Sequence, residues 1–400
     1  MKNTLIKLMF ISIIMSFLLT SCVDKSQTGK SVISDESSSI VLKNGVLIDG
    51  AGALPEKNMT IIIQDDKIVK IIEDNKAKVP HKSQVIDLGG STVMPGFINT
   101  HVHKAYNEDN LSNWLNDGVT TVRDESPAGT SDFISKRDEF NKNPKYSTII
   151  SATPIMSVNG GYGSLNFDSP EDAKIKVLDM IDKKVDIIKV SIEDSLQGRS
   201  WNMPTYDEIK SIVDTAHSKN KKVSVHITHS ANLQWAIDAG VDDIAHMVVE
   251  PVDEDMLNQV IKKNIYWVPT LELWQGVSSM HSLDLDEIAI DNLSKFYKAG
   301  GKIALGTDFA GYTCEFDKGF PLTEITLMKE AGMSNMDIIQ SATKNAAHVC
   351  DIEAKVGTVE EGKIADLFIV SGDPLSDINC LTKVKMVVHK GVIVRNEISR

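Results

Sequence analysis

Apolar and polar residues alternate in short runs at both ends of the chain. In the middle they switch between unbroken β-branched runs and stripes of helical spacing. Residues 40–92 carry SIVLKNGVLIDG, NMTIIIQDDKIVKIIED and SQVIDLGGSTVMPG, alternating runs parted by turn residues, which read as strands. Residues 355–400, with KVGTVEEGKIADLFIV and VKMVVHKGVIVRN, read the same way. Two β-rich flanks predict one small β-sandwich built from both chain ends. Residues 93–354 place strands near 93–99, 119–123, 148–153, 185–190, 222–227, 243–246, 265–268 and 302–306. Helical patterns lie between them, for example at 170–183, 205–219, 231–239, 253–263 and 284–299, and two more follow near 321–331 and 335–349. Strand–helix alternation argues for a parallel sheet. Eight such strands predict an α/β fold, a (β/α)8 barrel of the TIM type.

The first 21 residues fit neither pattern. Lys2 and Lys7 precede an apolar stretch from Leu8 to Leu19, and Leu19-Thr20-Ser21-Cys22 follows. This resembles a bacterial lipoprotein signal cleaved before Cys22, whose thiol then carries lipid. An ordinary secretory leader or an uncleaved anchor helix is the plainer alternative. Residues 22–39, rich in Ser, Asp, Lys and Thr, read as a flexible tether. The expectation is an exported lipoprotein held on a bacterial membrane, at its periplasmic or extracellular face. Loss of Lys2 and Lys7 with the leader would take the formal charge from −13 to −15. Such a chain is a poor nucleic-acid binder. Cys22, Cys314, Cys350 and Cys380 form no CxxC pair, which argues against a disulfide framework. Oligomeric state stays open, a homo-oligomer included.

The chemistry sits at the predicted strand ends. His101 and His103 close VMPGFINTHVH, Lys189 closes DIIK, His226 closes KVSVH, His246 closes DDIAH and Asp308 closes IALGTD. In a parallel barrel those ends share one face, where active sites are built. Histidines two apart on a strand face the same side, so both reach one ion. Any one of these residues alone has a bland reading: a core histidine, a lysine reaching solvent, a capping aspartate. Together they suit a divalent metal that activates water. A buried lysine is costly unless paired or modified, and its neutral amine captures carbon dioxide to give an anionic carbamate. His229, three positions after His226, falls in the following loop.

The order HxH, Lys, His, His, Asp on the first, fourth, fifth, sixth and eighth strands resembles the amidohydrolase superfamily, in its prolidase and imidazolonepropionase-like branch. PGFINTHVH, NDGVTTVRD, YDEIKSIVDTAHSKNKKVSVH and SATKNAAHVCDIEAKVGTVEEGKIADLFIVSGDPLSDI carry the resemblance, which covers nearly everything after the tether. It implies two divalent ions, zinc first and manganese or iron next. His101, His103 and Asp308 would hold one and His226 and His246 the other, bridged by carboxylated Lys189. Members without the lysine bind a single ion. It also implies hydrolysis of an amide-type C–N bond, with Asp308 as general acid–base, in a small substrate such as an Xaa-Pro-like dipeptide or an N-acyl amino acid. Three loops depart from peptidase-like members: Asn159-Gly160-Gly161-Tyr162 stands for Gly-Gly-His, Ser191-Ile192-Glu193-Asp194 for a small glycine-rich run, and Thr228 for a histidine. Arg123 and Tyr162 are the candidate substrate contacts; the alternative for Arg123 is an ion pair with Asp124 or Glu125. Competing readings are a mononuclear imidazolonepropionase-like amidase or deaminase, and a ligand-binding lipoprotein without catalysis.

Overall fold

The computed structural model describes residues 38–127, 132–196 and 198–398. The leader, Cys22 and the tether up to residue 37 lie outside the described residues. The chain begins with β1 (Ser39–Leu47), β2 (Glu56–Gln64), β3 (Lys67–Glu73), β4 (Ser83–Asp87) and β5 (Thr92–Pro95). The middle of the chain supplies β6 (Phe97–Val102), β7 (Val119–Asp124), β8 (Thr148–Ser151), β9 (Met156–Val158), β10 (Leu165–Phe167) and β11 (Ile188–Ser191). It continues with β12 (Ser195–Leu196), β13 (Arg199–Ser200), β14 (Val223–His226), β15 (Asp243–Ala245) and β16 (Tyr266–Val268). The chain ends with β17 (Leu367–Val370), β18 (Val384–His389) and β19 (Val392–Asn396).

Both chain ends share one eight-stranded sheet, ordered β19-β18-β17-β5-β1-β2-β3 with β4 beside β1. The sheet folds back on itself: Lys67 of β3 bridges Ile364, just ahead of β17. Leu42, Ile61, Ile63, Leu367, Ile369 and Met386 fill the space enclosed. The two layers of the expected sandwich are therefore one continuous sheet. Phe97 and Phe368 join it to the barrel, with ring centroids 5.3 Å apart and edge to face.

The barrel strands run parallel: β6-β7-β8, then β11-β14-β15-β16, with a bridge from Ala152 to Ile187 joining the groups. Closure falls to an eighth segment too irregular to form a full strand. Ile303 bridges Trp267 on one side and Phe309 bridges Val102 on the other. Leu305 O accepts from Thr100 N, and His101 O accepts from both Thr307 N and Asp308 N. Helices lie outside the strands, and several start on a readable signal. Ser169 caps Pro170–Asp182 with proline in the first turn, Thr205 and Glu208 form a capping box on Tyr206–Ser218, and Asp253 caps Glu254–Lys262.

Three expectations need adjusting. The strand near 93–99 is two: β5 belongs to the end sheet and β6 opens the barrel. Gly96 separates them where any Cβ would collide with Thr120, so the end sheet reaches Pro95 rather than stopping at 92. The helix near 335–349 is also two, Asn335–Ser341 and Lys344–Val349, parted at Thr343, whose φ of −128° and ψ of −91° are not helical. An additional helix, Leu271–His281, follows β16 and leans over the barrel mouth.

Candidate active site

A cavity of about 560 Å³ opens at the C-terminal mouth of the barrel, and His101, His103, Lys189, His226, His246 and Asp308 all line it. Their side chains come from five barrel segments, as parallel packing requires. The imidazoles form a contiguous group: ring centroids are 5.4 Å apart for His101 and His103, 4.7 Å for His101 and His246, and 4.6 Å for His226 and His246.

Asp308 Oδ1 lies 3.0 Å from His101 Nε2 and 2.9 Å from His103 Nε2. Burial works to raise its carboxyl, and the two histidines outweigh that, holding it well below the usual range. Burial pulls His101 down to about 4, and it lowers His226 and, with its histidine neighbours, His246 as well. His103 is also lowered by burial, but Asp308 outweighs this and the net shift is upward. Neutral imidazoles present lone pairs, which is what a metal needs.

Two local devices hold this geometry. His246 and Asp308 both adopt the left-handed region, with φ of 71° and 60°, a costly conformation that concentrates at functional sites. The His246 ring is fixed by a 3.0 Å contact between Nδ1 and Thr270 Oγ1, which leaves Nε2 for the centre. Gly311 lets the loop cross Asp308, since a Cβ there would strike its carboxylate.

The donor set fits a metal. His101, His246 and Asp308 each place a ligand atom within 4.8 Å of the others. His101 Nδ1 is buried without a hydrogen-bond partner, and the buried Asp308 Oδ1 and His226 Nε2 meet only the ion-pair approaches of neighbouring site residues. Buried polar atoms of this kind are few in native proteins and call for a ligand or ion.

Arg123 is not a substrate contact. It is fully buried, donates from both Nη atoms to Asp243 at 2.9 Å and from Nε to Thr100 O at 2.6 Å, and lies outside the cavity lining. Its Nε is also 2.6 Å from Glu125 Oε1, the ion pair that was the alternative. Asp243 on β15 and Glu125 just beyond β7 neutralise the buried guanidinium away from the cavity. Tyr162 does reach the site: its ring stacks on His226 at 4.3 Å and 17°. Lys189 is 1 % exposed, and its Nζ forms an ion pair with Glu125. His229 sits in the loop after β14, both ring nitrogens engaged, by Glu250 at 2.9 Å and by Ser195 O.

Sequence reasoning missed Thr270 and Lys104, and it named Glu125 and Glu193 without giving either a place beside the histidines. Lys104 is exposed on the cavity lining, directly after the HxH pair. Glu193 is buried, accepts from Thr228 N and Oγ1 at 3.0 and 2.6 Å, and comes within 3.5 Å of His226 Nε2. Its acidity in a barrel-end loop was the only signal.

A (β/α)8 barrel with clustered histidines and an aspartate at its C-terminal mouth defines a metal-dependent hydrolase. The chain belongs to the Amidohydrolase family, whose model matches residues 92–394. It is similar to an ochratoxinase from Aspergillus niger, 26% identical over 423 residues, spanning 89% of this chain and 86% of the relative. It is similar to a 5-methylthioadenosine/S-adenosylhomocysteine deaminase from Thermococcus sibiricus, 23% identical over 375 residues, with 83% and 85% covered. A solved Xaa-Pro dipeptidase with methionine bound in its active site superposes with a TM-score of 0.79 at 26% identity, over 89% of this chain and 99% of that one. The protein is thus an amidohydrolase, a hydrolase of carbon–nitrogen bonds.

Proposed function

We propose that this enzyme hydrolyses the amide bond of a small N-acyl amino acid or dipeptide, Xaa-Pro dipeptides included. The observation that carries this reading is the convergence of four imidazoles and Asp308 in a cavity large enough for such a substrate. A divalent ion, zinc first, held by His101, His103, His226, His246 and Asp308 would supply the Lewis acidity that acidifies water and polarises a carbonyl. Asp308 accepts the proton of the attacking water and returns it to the leaving nitrogen. Tyr162, packed on His226, is placed to bond the substrate carbonyl, and Lys104 at the rim is placed to draw a substrate carboxylate. Leu273, Trp274 and Val277 make an apolar wall that keeps bulk water from the reacting bond.

Two ions bridged by a carboxylated Lys189 is the arrangement drawn from the sequence resemblance. A second reading, deamination at a single ion, draws on the similarity to the Thermococcus deaminase. For location, the reading remains an exported lipoprotein anchored through Cys22. The test of function is a panel of dipeptides, N-acyl amino acids and adenosine-type nucleosides offered to zinc- or manganese-loaded protein. Release of free amino acid supports the proposal, release of ammonia from nucleosides supports the deaminase, and turnover of neither class overturns both.

A further inference from the structure

Two of the loops that depart from the peptidase-like pattern meet beside the cavity. The first, Asn159-Gly160-Gly161-Tyr162, follows β9. The second leaves β11 through Glu193 and Asp194 and turns back as the hairpin of β12 and β13, with Trp201 directly after it. Hydrogen bonds tie the two together: Asn202 N donates to Gly160 O at 3.0 Å, and Asn202 Nδ2 donates to Asn159 O at 2.8 Å. A Cβ on Gly160 would come within 2.9 Å of the Asn202 amide, and one on Gly161 within 2.8 Å of Asn202 O. The paired glycines therefore make room for this crossing. The second loop is also pinned at its root. Trp201 N donates to Asp194 O at 2.7 Å, Thr228 N and Oγ1 both donate to Glu193, and His229 Nε2 donates to Ser195 O.

Tyr162 is the side chain that this crossing holds. Its ring lies between two others, stacked on His226 at 4.3 Å and 17° and meeting Trp201 edge to face at 5.2 Å and 84°. Tyr162 lines the cavity, and among the described residues nothing pairs with its hydroxyl. Trp201 is half-buried, off the cavity lining and absent from the apolar clusters, so its ring serves chiefly as a stop for Tyr162. We propose that Trp201 is a positioning residue, which keeps the Tyr162 ring on His226 so that the hydroxyl meets the substrate carbonyl as charge builds on its oxygen. The proposal rests on the amide-hydrolysis reading above and deepens it. A hydroxyl donor helps most when its place is fixed before the reaction. Two glycines ahead of Tyr162 restrain its backbone least. The fixing must come from ring packing, by His226 on one side and Trp201 on the other. Trp201 stands outside the histidine cluster and can be changed without removing a site residue.

The test joins kinetics on metal-loaded enzyme to a measurement that needs no turnover. Tyr162→Phe is expected to lower kcat by roughly 10²-fold with KM little changed, as for loss of one oxyanion donor. Trp201→Ala is expected to lower kcat by roughly tenfold or more, with bound metal and melting temperature near wild type. Trp201→Phe, which restores an aromatic edge, should recover most of that loss. In the Tyr162→Phe background Trp201→Ala should cost nothing further, because both changes act through one hydroxyl. The second measurement is NMR relaxation of 13C-labelled tyrosine rings. Tyr162, one of seven tyrosines, is identified by the signal lost in Tyr162→Phe. Its ring is expected to be rigid in wild type and Trp201→Phe and mobile on the nanosecond scale in Trp201→Ala. A rigid Tyr162 ring in Trp201→Ala overturns the proposal. So does a loss confined to KM, or an undiminished loss in the double variant. Should Trp201→Ala not fold, Trp201→Leu, which keeps bulk without an aromatic edge, is read instead. If no substrate of the panel is hydrolysed, the proposed activity fails, and ring relaxation alone decides whether Trp201 holds Tyr162.

Discussion

Arg123 stabilises the catalytic end of the barrel without touching the cavity. It links Thr100 on β6, Glu125 beyond β7 and Asp243 on β15. Arg123→Met leaves two buried carboxylates short of a cation. Breaking a buried pair in this way costs about 3–5 kcal/mol, to be read as a lower urea midpoint. An unchanged midpoint would mean the block is dispensable. Gly311→Ala is a different kind of change. The added methyl meets the movable end of Asp308, so the melting temperature should stay close to wild type while kcat falls. Equal losses in both would place the effect in folding instead. At this scale the residues that gather at the cavity were legible because each ends an apolar run that strand pairing carries to the mouth. Arg123 was misread because a cation at a strand end looks the same whether it faces substrate or an aspartate 120 positions later. Thr270 and Lys104 were illegible, since their roles come from loop geometry with no periodicity behind it.

The helix Leu271–His281 starts at Thr270, in the left-handed region, without a side-chain cap of its own. Glu324, from the helix Leu322–Glu330, supplies one by accepting from Glu272 N at 2.8 Å. Burial pushes the carboxyls of both Glu324 and Glu272 up to about 8 from 4.5. Both are raised above their unfolded value, so their contribution to stability is fully present below pH 4.5 and is lost as pH rises through about 8. Each acid adds at most roughly 1.4 kcal/mol per pH unit to that loss. Glu324→Gln keeps the accepting oxygen and removes the titration, so its melting temperature should fall less between pH 7 and 9 than that of the wild type. Parallel curves would contradict the burial assignment. Element types and most boundaries were readable from capping residues and β-branched runs. The junction at Gly96, the break at Thr343 and the bridging eighth segment were not, because tertiary contacts set all three while the local pattern reads as continuous.

For the whole molecule, the sequence indicated a barrel and a composite end sheet because both chain ends carry alternating runs that lack partners of their own. Anchoring is tested separately. Cys22→Ala should move the protein out of the membrane fraction or leave its leader uncleaved, and unchanged fractionation, processing and mass would refute the lipoprotein reading. The central claim is that a metal-bearing barrel mouth hydrolyses a C–N bond with Asp308 moving the proton. The most direct measurement is kcat and bound metal, side by side, for wild type and Asp308→Asn on the best substrate of the panel. Asparagine keeps the shape and one oxygen donor but accepts no proton. Metal content should fall modestly while kcat drops by roughly 10²–10⁴, the range for losing general acid–base help. A kcat near wild type in Asp308→Asn would contradict the mechanism.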